Sequence, residues 1–93
     1  MKQEVNVLAK FKTGKSLPEP VRFQMVEEGS KIAVDIYSIL SIEYIGMNRI
    51  DFECNSLSQR GNLLCYTLSY YRQEGKWVYS NVEMTSKKYT VKA

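Results

Sequence analysis

A chain of 93 residues is long enough for one hydrophobic core and too short for two, because two independent halves would each bury too little surface. With 44% hydrophobic residues, 25% charged residues, five glycines and two prolines, the composition excludes a disordered or collagen-like chain. The formal charge of +3 is mild and is concentrated at the two ends, with four lysines in residues 1–15 and three in residues 84–93.

The sequence has no apolar run of about 18 residues, the length that a membrane-spanning helix needs. Its first residues also lack the apolar stretch of a signal peptide. We therefore expect a cytoplasmic protein without membrane attachment. We expect a single domain over residues 1–93, with a strand core over about 4–84 and with residues 85–93 as a tail or a short extra strand.

Apolar residues alternate with polar residues along most of the chain, and this period of two predicts strands. In chain order, the predicted strands cover residues 4–12, 21–28, 31–45, 49–58, 63–73 and 77–84, the third with a bend near Ser38 or Ser41. The residues predicted to face the core are Val5, Val7, Ala9, Phe11, Val21, Phe23, Met25, Ile32, Val34, Ile36, Leu40, Ile42, Tyr44, Ile50, Phe52, Cys54, Leu64, Tyr66, Leu68, Tyr70, Trp77 and Tyr79.

Four short turns predict how neighbouring strands pair, because the loop length decides which residues lie opposite each other. The predicted loops cover residues 29–30, 46–48, 60–62 and 75–76, and each contains a glycine. The resulting pairs are Met25 with Val34, Phe23 with Ile36, Tyr44 with Ile50, Ile42 with Phe52, Leu40 with Cys54, Cys54 with Leu68, and Phe52 with Tyr70. All four connections keep one apolar face together.

The longer connection over residues 13–20 carries both prolines, which cannot donate to a strand ladder, so this stretch is predicted to leave the sheet. A six-stranded sheet with one apolar face must curl in order to cover that face. The predicted fold is therefore all-β, a six-stranded antiparallel meander that closes into a small barrel or roll.

In this layout the chain resembles small SH3-like barrels, in which a first strand and a long irregular loop precede a meander with tight turns. The segment Pro18-Glu19-Pro20-Val21-Arg22-Phe23 with its following hairpin, and the later Gly75-Lys76-Trp77, also resemble bacterial β-barrel domains of unknown function. The likeness covers about residues 4–82 and implies an SH3-like fold. It carries no binding residues across, because the chain lacks the acidic-aromatic loop and the adjacent tryptophans of peptide-binding SH3 domains.

The chain has no histidine, which removes the usual general base and the commonest metal ligand. Two cysteines without histidine are too few for a structural zinc site. The predicted register places Cys54 inward and Cys65 outward, so these thiols are not expected to form a disulfide. We expect a protein that is not an enzyme and that uses no cofactor and no metal.

Several apolar residues fall on outward positions of the predicted sheet, namely Tyr37, Ile39, Ile45, Leu63, Tyr71, Val78 and Val82. Such a set requires a cover, which is the proline loop or the tail of the same chain, a second copy, or a protein partner. We interpret the protein as a cytosolic interaction or assembly module that acts through an exposed apolar sheet face or edge. The candidate partner-binding residues are Tyr37, Ile39, Tyr71 and Val78.

An alternative is binding of single-stranded nucleic acid, which small barrels achieve by stacking bases on exposed aromatic rings beside basic side chains. The candidate residues are Lys10, Lys12, Arg22, Tyr37 and Tyr71, supported by the basic chain ends. Against this alternative, residues 16–83 contain nine acidic and six basic residues, and no aromatic-basic motif of the RNP type occurs.

Overall fold

A computed structural model of the protein describes residues 2–11, 14, 17–57 and 61–81. The strands within these ranges are β1 (Lys2–Lys10), β2 (Glu19–Glu27), β3 (Ser30–Asp35), β4 (Ser38–Ile45), β5 (Arg49–Leu57), β6 (Leu63–Tyr71) and β7 (Lys76–Asn81). No helix in these ranges is long and apolar enough to cross a membrane. The predictions for Lys12, Val82 and residues 85–93 lie outside the described residues.

The strands form one antiparallel sheet with the order β3-β2-β1-β7-β6-β5-β4. β1 and β7 pair at the centre of this sheet, with Lys2 opposite Ser80 and Val5 opposite Trp77. β3 and β4, which are consecutive in the chain, lie at the two edges. The sheet curls into an open half-barrel.

The prediction of an all-β antiparallel sheet that curls is confirmed, but the described residues form seven strands instead of six, and the barrel that they form is open. The difference arises in the predicted strand 31–45, which is divided into β3 and β4 by a bend at Ile36 and Tyr37. β3 pairs with β2, whereas β4 pairs with β5. One continuous stretch of chain therefore passes from one edge of the sheet to the other.

Backbone hydrogen bonds hold the corner where this passage occurs. The N–H of Ile36 donates to the carbonyl of Val21 on β2 at 2.9 Å, and the N–H of Tyr37 donates to the carbonyl of Asn55 on β5 at 2.8 Å. The hydroxyl of Ser38 also donates to the side-chain oxygen of Asn55, at 2.7 Å. The two edges of the sheet therefore meet at this corner.

A buried hydroxyl pair fastens the same corner from inside. Ser56 Oγ donates to the carbonyl of Asp35 at 2.7 Å and also hydrogen-bonds to the hydroxyl of Tyr66. Because a serine hydroxyl carries one proton, the Tyr66 hydroxyl is the donor in the second bond. Burial raises the pKa of Tyr66 well above its usual value, so the phenol keeps this proton. The pair connects β3, β5 and β6.

The pairing register differs from the prediction at three of the four turns. The loop over residues 46–48 is as predicted, whereas the other loops cover residues 28–29, 58–62 and 72–75. Each difference shifts the pairing by an even number of residues, and an even shift leaves every side chain on its original face. The observed pairs are Met25 with Ile32, Phe23 with Val34, Cys54 with Tyr66, Phe52 with Leu68, and Tyr70 with Trp77.

A bulge in β4 changes which of its first residues face inward. The register shifts between Ile39 and Ser41, so Ile39 lies opposite Cys54 where Leu40 was predicted. An extra residue in one strand locally reverses the alternation of faces. Ile39 therefore packs against the core, and its predicted outward position is wrong.

The core lies on the concave face of the sheet. Aromatic rings form much of it, with the ring centroid of Phe52 5.5 Å from that of Trp77 and the ring centroid of Phe23 5.2 Å from that of Tyr66. The buried apolar residues are Val5, Phe23, Ile50, Phe52, Cys54, Tyr66, Leu68 and Trp77, all predicted to face the core. The residues predicted there but found exposed are Phe11, Val21, Leu40, Ile42, Tyr44 and Leu64.

Candidate functional site

The open side of the half-barrel forms a groove of about 810 Å³ between the start of β2 and the start of β4. Residues 18–21 form one wall and residues 38–42 form the other, and the ring of Phe52 lies at the groove. We call this feature the groove.

The groove exists because the strand ladder ends before the sheet closes. The last pair between β2 and β3 joins Arg22 to Asp35, so residues 19–21 of β2 extend beyond the end of β3. Across the groove, β4 pairs with β5 and with no other strand among the described residues. Two strand segments therefore face each other without a ladder between them.

Apolar side chains are exposed along the β4 side of the groove. Leu40 and Ile42 line it together with Tyr37 from the corner, and Tyr44 continues the row along β4. Ile42 is 48% exposed and Tyr44 is 59% exposed. An apolar row beside unpaired strand backbone is a surface that other chains bind readily.

The basic side chains near the other wall are paired with acids. Lys10 Nζ lies 3.9 Å from a carboxylate oxygen of Glu19. The guanidinium of Arg22 hydrogen-bonds to the carboxylate of Asp35, which raises the pKa of Arg22 and lowers the pKa of Asp35. Both members of this second pair are exposed, so the bond is screened by solvent. This wall carries little net charge.

Acidic side chains instead dominate the outer face beside β4. Glu43 lies opposite Asp51, and Glu53 lies opposite Ser41. Asp51 is neutralised by Arg49, whose Nε is 3.1 Å away. Glu43 and Glu53 have no basic partner in the part of the chain that the structure describes. We call Glu43 and Glu53 the acidic edge.

A second, smaller pocket of about 190 Å³ lies on the outer face of the sheet. Its lining residues are Lys2, Arg49, Asp51, Thr67, Ser69, Tyr71, Val78 and Ser80. The pKa of Arg49 is raised, mainly by a hydrogen bond with Tyr71 and less by Asp51. Lys76 Nζ lies 5.8 Å from the centroid of the Tyr71 ring. Two cations of the chain itself therefore already occupy the surroundings of Tyr71.

The predicted partner-binding residues fall into two separate places. Tyr37 and Ile39 line the groove, whereas Tyr71 and Val78 line the outer pocket. The structure does not bring these four residues together into one surface.

The predicted nucleic-acid-binding residues are divided in the same way. Lys10 and Tyr37 line the groove, and Tyr71 lies in the outer pocket. Arg22 is paired with Asp35, and Lys12 lies outside the described residues.

Sequence reasoning missed Val21, Leu40 and Ile42 as groove residues and placed them in the core. Their alternation is that of core residues, and nothing local marks them as exposed. The signal that could have found them is the position of β4 at a sheet edge, which results from the bend at residues 36–37.

The described residues of the groove offer apolar contacts for binding and few metal-ligating or nucleophilic side chains. Among the described residues, no group of three or more His, Cys, Asp or Glu side chains could hold a metal ion. Burial, with a smaller effect of the Glu53 charge, raises the pKa of the Cys54 thiol to about 12, so it stays protonated at neutral pH. Among the described residues, the groove presents apolar surface and a strand edge without a neighbouring strand, and two carboxylates without a basic partner, Glu43 and Glu53, lie beside that edge on the outer face.

These features define a class of small all-β protein, an antiparallel half-barrel with an open apolar groove. Comparisons with protein-family models, with curated proteins and with solved structures found no match.

Proposed function

We propose that the protein is a non-catalytic interaction module that binds an extended polypeptide segment by strand addition to β4. The observation that carries this proposal is the row of exposed apolar side chains, Leu40, Ile42 and Tyr44, on a strand whose second edge is free among the described residues. In strand addition the backbone of the segment supplies the hydrogen bonds, and alternate side chains enter pockets.

The spacing of the groove suits an extended segment. Alternate side chains of a strand point to the same face and repeat every ~6.6–6.8 Å. Ile42 and Tyr44 have this spacing on β4, so alternate residues of an added strand would lie beside them. Direct cross-strand pairs of this kind contribute about 0.2–1 kcal/mol each.

The acidic edge indicates the chemistry of the other side chains. Residues of an added strand that point outward would lie beside Glu43 of β4, with Glu53 on the same face one strand further in, and both carboxylates lack basic partners in the described part of the chain. Lysine or arginine at those positions would neutralise them. The proposed ligand is therefore a segment in which apolar and basic residues alternate.

Fluorescence anisotropy with a labelled eight-residue peptide of alternating valine and lysine tests the proposal. A peptide of the same composition, in which the four valines precede the four lysines, is the control for non-specific attraction. We expect the alternating peptide to bind at least tenfold more tightly than the control peptide. Equal binding of the two peptides, or no binding of either, would contradict the proposal.

A pair of protein variants locates the binding site. Ile42 and Val26 are both 48% exposed, but Val26 lies on β2 away from the groove. We expect Ile42→Lys to weaken binding of the alternating peptide at least tenfold and Val26→Lys to leave it unchanged. Equal effects of the two substitutions would place the peptide elsewhere.

Binding of single-stranded nucleic acid has less support. Lys10 and Arg22 lie beside acids of the same chain, and Tyr37 and Tyr71 line different pockets. Titration of labelled single-stranded RNA and DNA at about 50 and 200 mM salt separates the two proposals. Contacts with several phosphates would weaken ~10³-fold over this range, whereas apolar strand addition depends on salt much less.

We also propose that the half-barrel is of the SH3-like type and that the protein works in the cytoplasm. The curled antiparallel sheet and the loop after the first strand support the first point, while the seven strands and the open side depart from the expected barrel. Two free thiols, Cys54 and Cys65, support a reducing compartment.

A further inference from the structure

We propose that the segment bound by β4 is residues 87–93 of a second copy of this chain, so that the protein assembles with itself. This inference rests on the proposed function, because it names the partner of the same strand edge. The segment has the sequence Lys-Lys-Tyr-Thr-Val-Lys-Ala and lies outside the described residues.

The alternation of this segment complements both faces of β4. Tyr89 and Val91 are two residues apart, so in an extended chain both point to one face, which can lie along the apolar row of β4. Lys88 and Lys92 then point to the opposite face, where the acidic edge lies. The proposed ligand chemistry, alternating apolar and basic residues, is thus present in the chain itself.

Charge argues against a simpler contact between the β4 strands of two copies. Such pairing would bring Glu43 of both copies onto one face of the joined sheet, with Glu53 of each copy one strand further in and no basic partner for them among the described residues. Like charges in direct cross-strand contact are destabilising. A basic segment removes this repulsion, so segment 87–93 suits β4 better than a second β4 does.

The number of residues between β7 and the segment favours a second copy over the same copy. Asn81 at the end of β7 and Ile39 on β4 lie in one row across four strands, and the last pair of β5 and β6, Leu57 with Leu63, lies three residues beyond this row. A path around that end of β5 and β6 is about 34 Å long, with ~10 Å along the strands, ~14 Å across them and ~10 Å back. Residues 82–86 precede the segment and span at most ~17 Å at ~3.4 Å each, so the segment of the same copy falls short of β4.

Two complementary variants test the inference by sedimentation velocity over a range of concentrations. Tyr89→Lys with Val91→Lys alters the apolar side of the segment and leaves β4 intact, whereas Ile42→Lys alters β4 and leaves the segment intact. We expect the unaltered chain to self-associate with rising concentration and each variant alone to stay monomeric. An equimolar mixture should form a dimer, because one variant supplies the segment and the other supplies β4.

Charge variants provide a matched control. Lys88→Glu with Lys92→Glu should raise the dissociation constant of self-association at least tenfold. Lys31→Glu with Lys76→Glu changes the net charge equally, at exposed positions away from β4, and should raise it much less. Adding Glu43→Lys to the first pair should restore part of the association.

The two proposals, self-association through residues 87–93 and peptide binding by β4, can be contradicted separately. If the alternating valine-lysine peptide binds through Ile42 but the full chain stays monomeric at all concentrations, the inference is wrong and the proposed function stands. If the chain self-associates and Tyr89→Lys with Val91→Lys has no effect, the contact lies elsewhere and the inference is again wrong. If no peptide binds through Ile42, the proposed function fails as well.

Discussion

β4 and β5 are paired and carry the same alternation of apolar residues, yet the apolar side chains of β4 are exposed and those of β5 are buried. Ile42 is 48% exposed and its partner Phe52 is 1% exposed, while Tyr44 is 59% exposed and its partner Ile50 is 1% exposed. β5 has a neighbouring strand on each side, and β4 has one on a single side among the described residues. Alternation therefore identifies the face of a residue, whereas the place of its strand in the sheet decides whether that face is covered.

The largest expected effect on stability comes from a carboxylate at Phe52 on β5, compared with the same change at its partner Ile42 on β4. Phe52→Asp puts an unpaired carboxylate into a dry core, at a cost of several kcal/mol that approaches the whole stability of a small domain. We expect this variant to be unfolded by circular dichroism. Ile42→Asp should remain folded and lose only about 1 kcal/mol, the range of strand propensities, in urea unfolding. Unfolding by Ile42→Asp would show that residues of the same chain cover β4 in solution.

Ser56 and Ser41 both form side-chain hydrogen bonds, but those of Ser56 are buried and that of Ser41 is exposed. Ser56→Ala leaves the carbonyl of Asp35 and the hydroxyl of Tyr66 without a buried partner, which should cost about 1–3 kcal/mol in urea unfolding. Ser41 Oγ donates to Glu53 at 3.3 Å on the exposed face, so Ser41→Ala should change stability by less than about 0.5 kcal/mol. Similar losses for both serines would mean that the corner is open to water.

The face of every fully buried apolar residue could be predicted from the sequence, because the turns shift the pairing by even numbers and an even shift keeps the face. Ile39 is an exception among the residues packed against the core, because the bulge in β4 reverses its face. The register could be predicted at only one of the four turns. At the first hairpin the turn uses Glu28 and Gly29, with φ of 52° and 81°, where Gly29 and Ser30 were predicted. A glycine satisfies either placement locally, and a positive φ at a glutamate has no sequence signal.

The groove could not be predicted for a different reason. Leu40 and Ile42 have the alternation of core residues, and their exposure results from the position of β4 at a sheet edge, where the bend at residues 36–37 separates it from β3. The sheet is instead joined through β1 and β7, two strands far apart in the chain, so β3 and β4 lie at the edges of the described sheet. Local patterns carry no information on such a distant contact, whereas the outward acids Glu43 and Glu53 could be placed from alternation alone.

Alkaline pH should lower the stability of the folded protein, because the thiol of Cys54 on the buried strand β5 stays protonated when folded. The folded state raises the pKa of Cys54 to about 12, above the ordinary thiol value of about 8.5, so stability is full below that ordinary value. As the pH rises further, the unfolded chain releases a proton that the folded chain keeps, and stability falls by about 1.4 kcal/mol per pH unit. Urea unfolding at pH 8 and pH 10 should show a loss about 1–2 kcal/mol larger for the unaltered chain than for Cys54→Ala. Equal losses would mean that the thiol is accessible.

The smallest expected change in stability concerns Tyr37 at the corner beside β4. Its side chain is 64% exposed, and its structural contact is made by the backbone N–H, which Tyr37→Ala keeps. We therefore expect a change in the free energy of unfolding within about 0.5 kcal/mol. Because the side chain lines the groove, the same substitution should weaken binding of the alternating valine-lysine peptide several-fold.

Phe11 is the matched control for Tyr37, since its aromatic side chain is 71% exposed and it is not among the groove residues. Phe11→Ala should leave both stability and peptide affinity unchanged. A large loss of stability from Tyr37→Ala would place that ring in the core and move the bend between β3 and β4. Unchanged stability with equal peptide affinity for both variants would mean that the ligand contacts β4 alone and not the corner, so the binding surface would begin at Ile39.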